Sequence, residues 1–233
     1  MSNNKPSWVG RTAIAATVGA ASLGMPGCEP SSSPGSNSSG SAHTQTQHQG
    51  PNLYDILTGP ADKNYRWIDA NGTEVNIEAL KAKLKDKHVT LSFGFQSCTL
   101  MCPTINNNLK ELGQDNPDLA TIVVSVDPLN DGKDAKAREA FAAHLRDEGI
   151  RNAITLFPVK ASPSGDLVLD PKTTTNAQMR AGAIVNAGDS LAHTSKIYLF
   201  LNGQNLATKS GLDSPQEFKE WNQIIKQTGK TGP

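Results

Sequence analysis

The sequence has few cysteines, no net charge and no long hydrophobic run. Lysine plus arginine equal aspartate plus glutamate at 22 each, so no strong electrostatic field attracts nucleic acid or an acidic membrane surface. Three cysteines are too few for a small disulfide scaffold. Cys28 lies near the N-terminus, whereas Cys98 and Cys102 form a close pair, so the spacing predicts two separate roles. A chain of 233 residues allows one domain of ordinary size with extensions.

Residues 1–27 are typical of an export signal. Lys5 and Arg11 precede a stretch of small and apolar residues at 12–24, which is shorter than the roughly 20 apolar residues that span a bilayer. The stretch leads into Met-Pro-Gly-Cys, which resembles the lipobox of bacterial lipoproteins, where a leader is cut before a lipidated cysteine. The resemblance implies that Cys28 is the lipid anchor of an exported protein on the periplasmic or cell-surface side of a membrane.

The segment after the lipobox has almost no apolar side chains. Serine, glycine, glutamine and proline dominate it, which is typical of a flexible linker, and His43 and His48 within it are interpreted as incidental. We therefore expect residues 28–51 to comprise the lipidated cysteine and a disordered linker, and residues 52–233 to form the folded domain.

Strand and helix patterns alternate along this domain. Asn71-Gly72 and Asn202-Gly203 each predict a hairpin turn, because both central residues of such a turn need positive φ. Buried strands are predicted at HVTLSFGF, LATIVVSVD, AITLFPV and SKIYLFL, and helices at residues 77–84, 103–112, 134–149, within 175–186 and after Ser214. The pattern predicts an α/β fold with a central mixed sheet flanked by helices and an N-terminal β-hairpin.

The cysteine pair lies in FGFQSCTLMCP, between a predicted strand and a predicted helix. This is the active-site layout of thioredoxin-like folds, in which the helix N-terminus favours thiolate over thiol. Thiolates attack disulfides and also bind soft metals. Thioredoxin-type motifs have two residues between the cysteines, whereas this chain has three. The wider gap leaves a disulfide, a redox couple and a metal site open, and a metal site needs a third ligand.

Histidines are the candidates for that third ligand. His144 lies among charged residues of a predicted helix and is expected at the surface, and His88 is expected to begin a strand at the solvent edge. His193 lies in a loop just before an apolar strand. Thioredoxin-type enzymes usually have a proline in the corresponding loop, and here no proline occurs between Lys172 and Ser214. A histidine in that loop favours a ligand role for His193.

Three consecutive segments resemble the SCO/SenC family, the membrane-tethered, thioredoxin-like copper proteins that serve cytochrome c oxidase assembly. They are FGFQSCTLMCP, VVSVDPLND and AHTSKIYLFLNGQ, and their order and intervals fit the family over roughly residues 65–226. The resemblance implies a thioredoxin-like fold. It also implies that Cys98, Cys102 and His193 are the ligands of one copper ion, as Cu(I) or Cu(II).

The family resemblance also assigns the residues around these ligands. Asp127 lies at a strand end near the site and is interpreted as a supporting residue, and Met101 is interpreted as packing. Two positions depart from the family pattern: Thr99 replaces a common proline, and Ala192 replaces a common acidic residue. Loss of an acidic neighbour changes the charge that a partner meets or the basicity of the histidine.

The first functional hypothesis is a copper metallochaperone that delivers its ion to the copper-bearing subunit of cytochrome c oxidase. The second is a thiol-disulfide oxidoreductase whose Cys98 and Cys102 thiols keep the oxidase copper-site cysteines reduced and become a Cys98–Cys102 disulfide in the exchange. A redox or copper sensor is a third. Partners expected besides the oxidase are a copper donor, a thiol reductant and the membrane through the lipid anchor, but no nucleic acid.

Overall fold

The structure, a computed structural model, describes residues 50–59, 65–182 and 194–229. The described helices are α1 Leu53–Thr58, α2 Ile77–Lys83, α3 Cys102–Asp115, α4 Pro128–Asp131, α5 Ala135–Asp147, α6 Pro171–Arg180 and α7 Pro215–Thr228. The described strands are β1 Arg66–Ile68, β2 His88–Gly94, β3 Ala120–Ser125, β4 Ala153–Ala161, β5 Leu167–Leu169, β6 Lys196–Leu201 and β7 Gln204–Ser210.

The strands form one mixed sheet in the order β1-β4-β3-β2-β6-β7, with β5 paired to β4. Strands β2, β3 and β4 are parallel, whereas β6 is antiparallel to β2 and β7 is antiparallel to β6. The carboxyl ends of β2, β3 and β7, at Gly94, Ser125 and Ser210, therefore meet at one edge of the sheet. We call this edge the site edge. The mixed sheet flanked by helices is as predicted.

Helices cover both faces of the sheet. Because successive side chains of a strand point to opposite faces, Tyr198 and Phe200 of β6 pack with α1, α2 and α6, whereas Ile197 and Leu199 pack with α3, α5 and α7. Strand β2 is buried at every position. Burial of each large apolar side chain contributes roughly 1.5–3 kcal/mol, so the two-sided core holds the site edge firmly.

The two predicted hairpin turns differ in conformation. Asn202 and Gly203 have φ of 50° and 81°, as the prediction requires. At the other turn only Gly72 has positive φ, at 80°, because the Asp69 carboxylate accepts the backbone N–H groups of Asn71 and Thr73 and organises a wider turn. The N-terminal hairpin is closed by a single bridge between Ile68 and Glu74, and β1 pairs mainly with β4.

His88 begins strand β2 as predicted, but its expected position at a solvent edge was wrong. Strand β2 lies between β3 and β6, so the His88 side chain is buried, and its Nε2 shares a hydrogen bond of 2.6 Å with Thr228 Oγ1 at the end of α7. Burial lowers the pKa of His88. This histidine therefore belongs to the core and not to a metal site.

Other boundaries also differ from the sequence-based expectation. Helix α6 begins at Pro171, earlier than the predicted interval, and residues 183–186 of that interval lie outside the described residues. The short elements α1, α4 and β5 were not predicted. Helix α1 is capped by Asn52, whose Oδ1 accepts the Tyr54 N–H at 2.9 Å. The last helix has the predicted capping box between Ser214 and Glu217.

Candidate metal centre

The cysteine pair lies at the site edge, where β2 ends and α3 begins. Residues 95–101 connect the two elements, and we call this connection the cysteine loop. A hydrogen bond of 3.2 Å from the Cys98 N–H to the Phe95 carbonyl closes a turn within the loop. Pro103 stands in the first turn of α3, where its missing N–H costs no helical hydrogen bond. The sequence thus delivers both cysteines to a helix N-terminus, as predicted.

The two sulfur atoms have different environments. The Cys102 N–H, the first amide of α3, donates a hydrogen bond of 3.3 Å to Cys98 Sγ. Cys98 is partly exposed, whereas Cys102 is 5% exposed. In the described part of the chain both residues are thiols, so the predicted disulfide stays a prediction.

The expected thiolate character does not extend equally to Cys102. Burial, followed by its interaction with the Cys98 side chain, raises the pKa of the Cys102 thiol to about 12. Desolvation of a charged sulfur outweighs the favourable field of the helix N-terminus at this position. In the absence of metal, Cys102 is therefore protonated at neutral pH.

The buried carboxylate of Asp131 accepts a hydrogen bond from the backbone of the cysteine loop. Asp131 is 3% exposed; its Oδ1 accepts the Gln96 N–H at 3.3 Å and its Oδ2 accepts the Ser125 hydroxyl at 2.8 Å. The Ser125 carbonyl in turn accepts the Thr174 hydroxyl of α6 at 3.0 Å. The network ties β3, α4, α6 and the cysteine loop together. Sequence reasoning missed Asp131, although it lies in the quoted segment VVSVDPLND.

Asp127, predicted as a supporting residue, lies in the same segment, four residues before Asp131. Its side chain is buried, and its Oδ2 accepts the Asn130 amide at 2.7 Å. Its backbone carbonyl accepts the N–H groups of Asn130 and Asp131, which starts α4. Asp127 therefore shapes the turn that presents Asp131 to the loop.

His144 is closer to the site than its expected surface position suggested. It is half-buried and lines a cavity of about 10 Å³ together with Cys102, Asn106 and Ser92. The cavity has room for about one water molecule. His144 is thus partly exposed, and it also borders the cavity beside Cys102 in α3.

His193 lies outside the described residues, as does Cys28. The residues that flank the His193 segment are described. Lys196 Nζ donates to the Gly182 carbonyl at 2.8 Å, and the Gly211 N–H donates to the Ser195 carbonyl. Asn108 of α3 donates to the carbonyls of Gly211 and Asp213 at 2.8 and 2.9 Å.

Within residues 50–59, 65–182 and 194–229, no group of three His, Cys, Asp or Glu side chains is arranged to hold a metal. The two cysteines contribute two sulfur donors, and the third predicted donor is His193. The flanking contacts fasten both ends of its segment beside β6 and α3. The described residues therefore form two thirds of the predicted ligand set.

Comparison with known proteins adds a family resemblance to this geometry. Residues 56–152, which include the cysteine loop and Asp131, match the family model SCO1/SenC. Over this range the chain resembles the SCO/SenC family. No match is found among curated proteins.

Solved structures share the fold at low sequence identity. ScoI of Arabidopsis thaliana, whose structure has copper bound, is 18% identical with a TM-score of 0.51 and covers 70% of this chain and 96% of its own. BsSco, described as a Sco-family cytochrome c oxidase assembly protein with a disulfide switch, is 22% identical with a TM-score of 0.52 and covers 72% and 92%. The thioredoxin-like fold predicted for this chain is confirmed.

The remaining predicted features of the chain concern the cysteine loop and the membrane attachment. Met101 is partly buried against the core cluster that contains α3, which agrees with a packing role. Leu100, by contrast, is 88% exposed between the two cysteines. Among the described residues, no helix combines the length and the apolar character needed to cross a membrane.

Proposed function

We propose that this protein is a copper metallochaperone that binds one copper ion through Cys98, Cys102 and His193 and delivers it to the copper centre of cytochrome c oxidase. The observation that carries the proposal is the contact between the two cysteines at one helix N-terminus: the Cys102 N–H donates to Cys98 Sγ, and the two side chains share a hydrogen bond. Two thiolates suit Cu(I), and an imidazole extends the set to Cu(II).

The flanks of the His193 segment support the third ligand. Ser195, two residues after His193, is held by the Gly211 N–H, and a Cβ placed on Gly211 would come within 2.7 Å of Ile105 in α3. Chain that leaves Thr194 is therefore close to the helix that carries Cys102.

The buried state of Cys102 determines how copper is loaded. The thiol must lose its proton when the metal binds, because the thiolate is the ligand form. The partly exposed Cys98 meets an incoming ion first, and the ion then lowers the cost of deprotonating Cys102. Release to a partner reverses this order by exchange of one sulfur at a time.

The relatives support the identity of the metal and of the target. The copper-bound Arabidopsis ScoI has this fold, and BsSco is described as belonging to a family of cytochrome c oxidase assembly proteins. Cys28 as a lipid anchor would hold an exported protein at the membrane, where an oxidase subunit is accessible.

An anaerobic copper titration of the reduced full-length protein tests the proposal. We expect one copper per chain, loss of Cu(I) binding in Cys98→Ser and Cys102→Ser, and loss of Cu(II) binding in His193→Ala. His144→Ala is the matched control, since His144 also lies near Cys102. Unchanged Cu(II) binding in His193→Ala, or its loss in His144→Ala instead, would contradict the ligand assignment.

A second candidate function is thiol-disulfide exchange. It is favoured by the difference between the two cysteines. Cys98 is partly exposed and its sulfur accepts a hydrogen bond from the Cys102 N–H, which suits an attacking cysteine. Cys102 is buried beside it, which suits a resolving cysteine. In that case Cys98→Ser and Cys102→Ser abolish exchange, whereas His193→Ala leaves the rate unchanged. A reduced protein that reduces no disulfide substrate would rule out this function.

A further inference from the structure

A groove of about 710 Å³ borders the cysteine loop on the side of α5. Gln96 and Ser97, the two residues before Cys98, form one wall. The residues of the other wall come from the α4–α5 connection and the first turns of α5: Asn130, Asp131, Lys133, Asp134, Lys136, Ala137 and Ala140. The alanines leave the space open. Sites that bind small organic ligands have volumes of roughly 300–1,000 Å³, so the groove is large enough for a short peptide.

The acidic side chains of the groove have hydrogen-bond partners, whereas its two lysines form no salt bridge among the described residues. Asp134 Oδ1 accepts the Ala137 N–H at 2.8 Å as the cap of α5, and both Asp131 oxygens are occupied by Gln96 and Ser125. Arg138, next to this wall, donates to the Gly132 carbonyl. Lys133 and Lys136 are exposed, and within the described residues neither forms a salt bridge.

The groove therefore has two exposed lysines without a salt bridge among the described residues, and one of its walls includes Ser97, the residue before Cys98 in the sequence. A ligand that fits must have negative charge for the lysines, a length that reaches the cysteine loop, and a sulfur for Cys98. We propose that the groove binds an anionic thiol peptide or its disulfide and directs it onto Cys98. The inference rests on the redox function proposed as the second candidate, and it identifies the chemical class of the reductant.

The exchange reaction balances as follows. The Cys98 thiolate attacks one sulfur of the anionic disulfide, a mixed disulfide forms, and one ligand thiolate leaves and takes a proton from water. Cys102 then gives its proton to water and attacks Cys98 Sγ, which releases the second ligand thiolate. In the reverse direction two molecules of the anionic thiol reduce the Cys98–Cys102 disulfide. That direction returns the pair to the form that binds copper.

The test compares three disulfides as oxidants of the reduced, copper-free full-length protein: anionic oxidised glutathione, neutral hydroxyethyl disulfide and cationic cystamine. Each rate is divided by the rate of the same disulfide with dithiothreitol, because disulfides differ in intrinsic reactivity. We expect a normalised rate for oxidised glutathione about tenfold above that for cystamine at low salt, and a smaller ratio at high salt.

Charge reversal in the groove should remove this preference. In the double variant Lys133→Glu/Lys136→Glu we expect the rate with oxidised glutathione to fall about tenfold and the rate with cystamine to rise. The double variant Lys219→Glu/Lys226→Glu on α7 makes the same change of net charge on exposed residues away from the groove. Its rates should equal those of the wild type, and copper stoichiometry should be unchanged in both double variants.

Three results would overturn the inference. Equal normalised rates for all three disulfides, or equal effects of the two double variants, would show that the groove does not select the ligand, while the redox function itself would stand. Failure of every disulfide to oxidise the protein would refute both the groove and the redox function. Unchanged Cu(II) binding in His193→Ala would count against the metallochaperone proposal alone, so the failures are distinguishable.

Discussion

The Ser125 hydroxyl donates a hydrogen bond of 2.8 Å to Asp131 Oδ2 at the carboxyl end of β3. No salt bridge among the described residues includes Asp131. Burial, with Asp127 as a second cause, raises the pKa of Asp131 to about 6, although the hydrogen bonds from Ser125 and Gln96 oppose the shift. The loop that bears Cys98 thus rests on a carboxylate whose charged form is disfavoured.

Asp131→Asn should therefore change how stability depends on pH. The carboxyl of Asp131 titrates near 3.8 when unfolded and near 6 when folded, so the folded state binds more protons between these values. Wild-type stability should fall as pH rises from about 4 to about 6, by roughly 2 to 3 kcal/mol at 1.36 kcal/mol per pKa unit. Urea unfolding at several pH values measures the slope, which Asp131→Asn should abolish.

Asp118 provides the matched control, because it is an exposed aspartate on a loop of the same domain. Asp118→Asn should leave the slope between pH 4 and 6 at its wild-type value. A wild-type slope that persists in Asp131→Asn would show that another group causes the pH dependence.

Alkylation should distinguish the two cysteines of the loop. Cys98 is partly exposed, whereas Cys102 is buried and has a pKa raised to about 12. Because only the thiolate reacts and its fraction falls tenfold per pKa unit above the working pH, iodoacetamide should modify Cys98 at least about tenfold faster near pH 8. Peptide mapping by mass spectrometry follows each site separately.

The single variants Cys98→Ser and Cys102→Ser control for effects of one modified thiol on the other. In Cys98→Ser the remaining Cys102 should still react slowly. Rapid modification of Cys102 in that variant would contradict the burial of its sulfur at the start of α3.

The strands and the helix that begins at Cys102 were predictable because buried elements have recognisable runs of apolar residues in the sequence. β-Branched and apolar runs identified β2, β3, β4 and β6, and the capping box identified α7. Which strands lie next to each other in the sheet was harder to predict from the sequence. The sequence around His88 indicates an exposed strand end, because charged residues precede it. The position of β2 between β3 and β6 is what buries its side chain.

The part of the candidate site formed by residues close in sequence was predictable. The part formed by contacts between distant segments was not. Cys98 and Cys102 belong to one short motif, so their placement followed from it. Asp131 acts through Gln96 and Ser125, and His144 approaches Cys102 from another helix. Such contacts depend on tertiary packing, which a charged or polar residue type by itself does not reveal.

Cys28→Ser tests the expected lipid anchor. A lipidated N-terminal cysteine should keep the protein in the membrane fraction after a high-salt wash, because acyl chains bind through buried methylene groups and not through charge. Without the cysteine, the leader should remain uncut and the acyl mass should be absent from the N-terminal peptide. An unlipidated wild-type Cys28 in intact mass spectra would contradict the lipoprotein assignment.

Gly211→Ala should weaken copper binding from a distance. A Cβ on Gly211 would lie 2.6 Å from the Ser195 carbonyl oxygen and 2.7 Å from Ile105 Cγ1, so the chain two residues after His193 must move away from α3. We expect this overpacking to lower the free energy of unfolding by about 1–3 kcal/mol. Under conditions where the variant is still fully folded, we also expect weaker Cu(II) binding. Gly113→Ala, in α3 with nothing within 4 Å of the new methyl group, should instead stabilise the protein by roughly 0.5–1 kcal/mol and leave copper affinity unchanged. If Gly211→Ala lost stability but kept its Cu(II) affinity, the contact between residue 211 and Ser195 would serve the fold alone, and the position of the third ligand would have to depend on the Lys196–Gly182 contact at the other end of the segment.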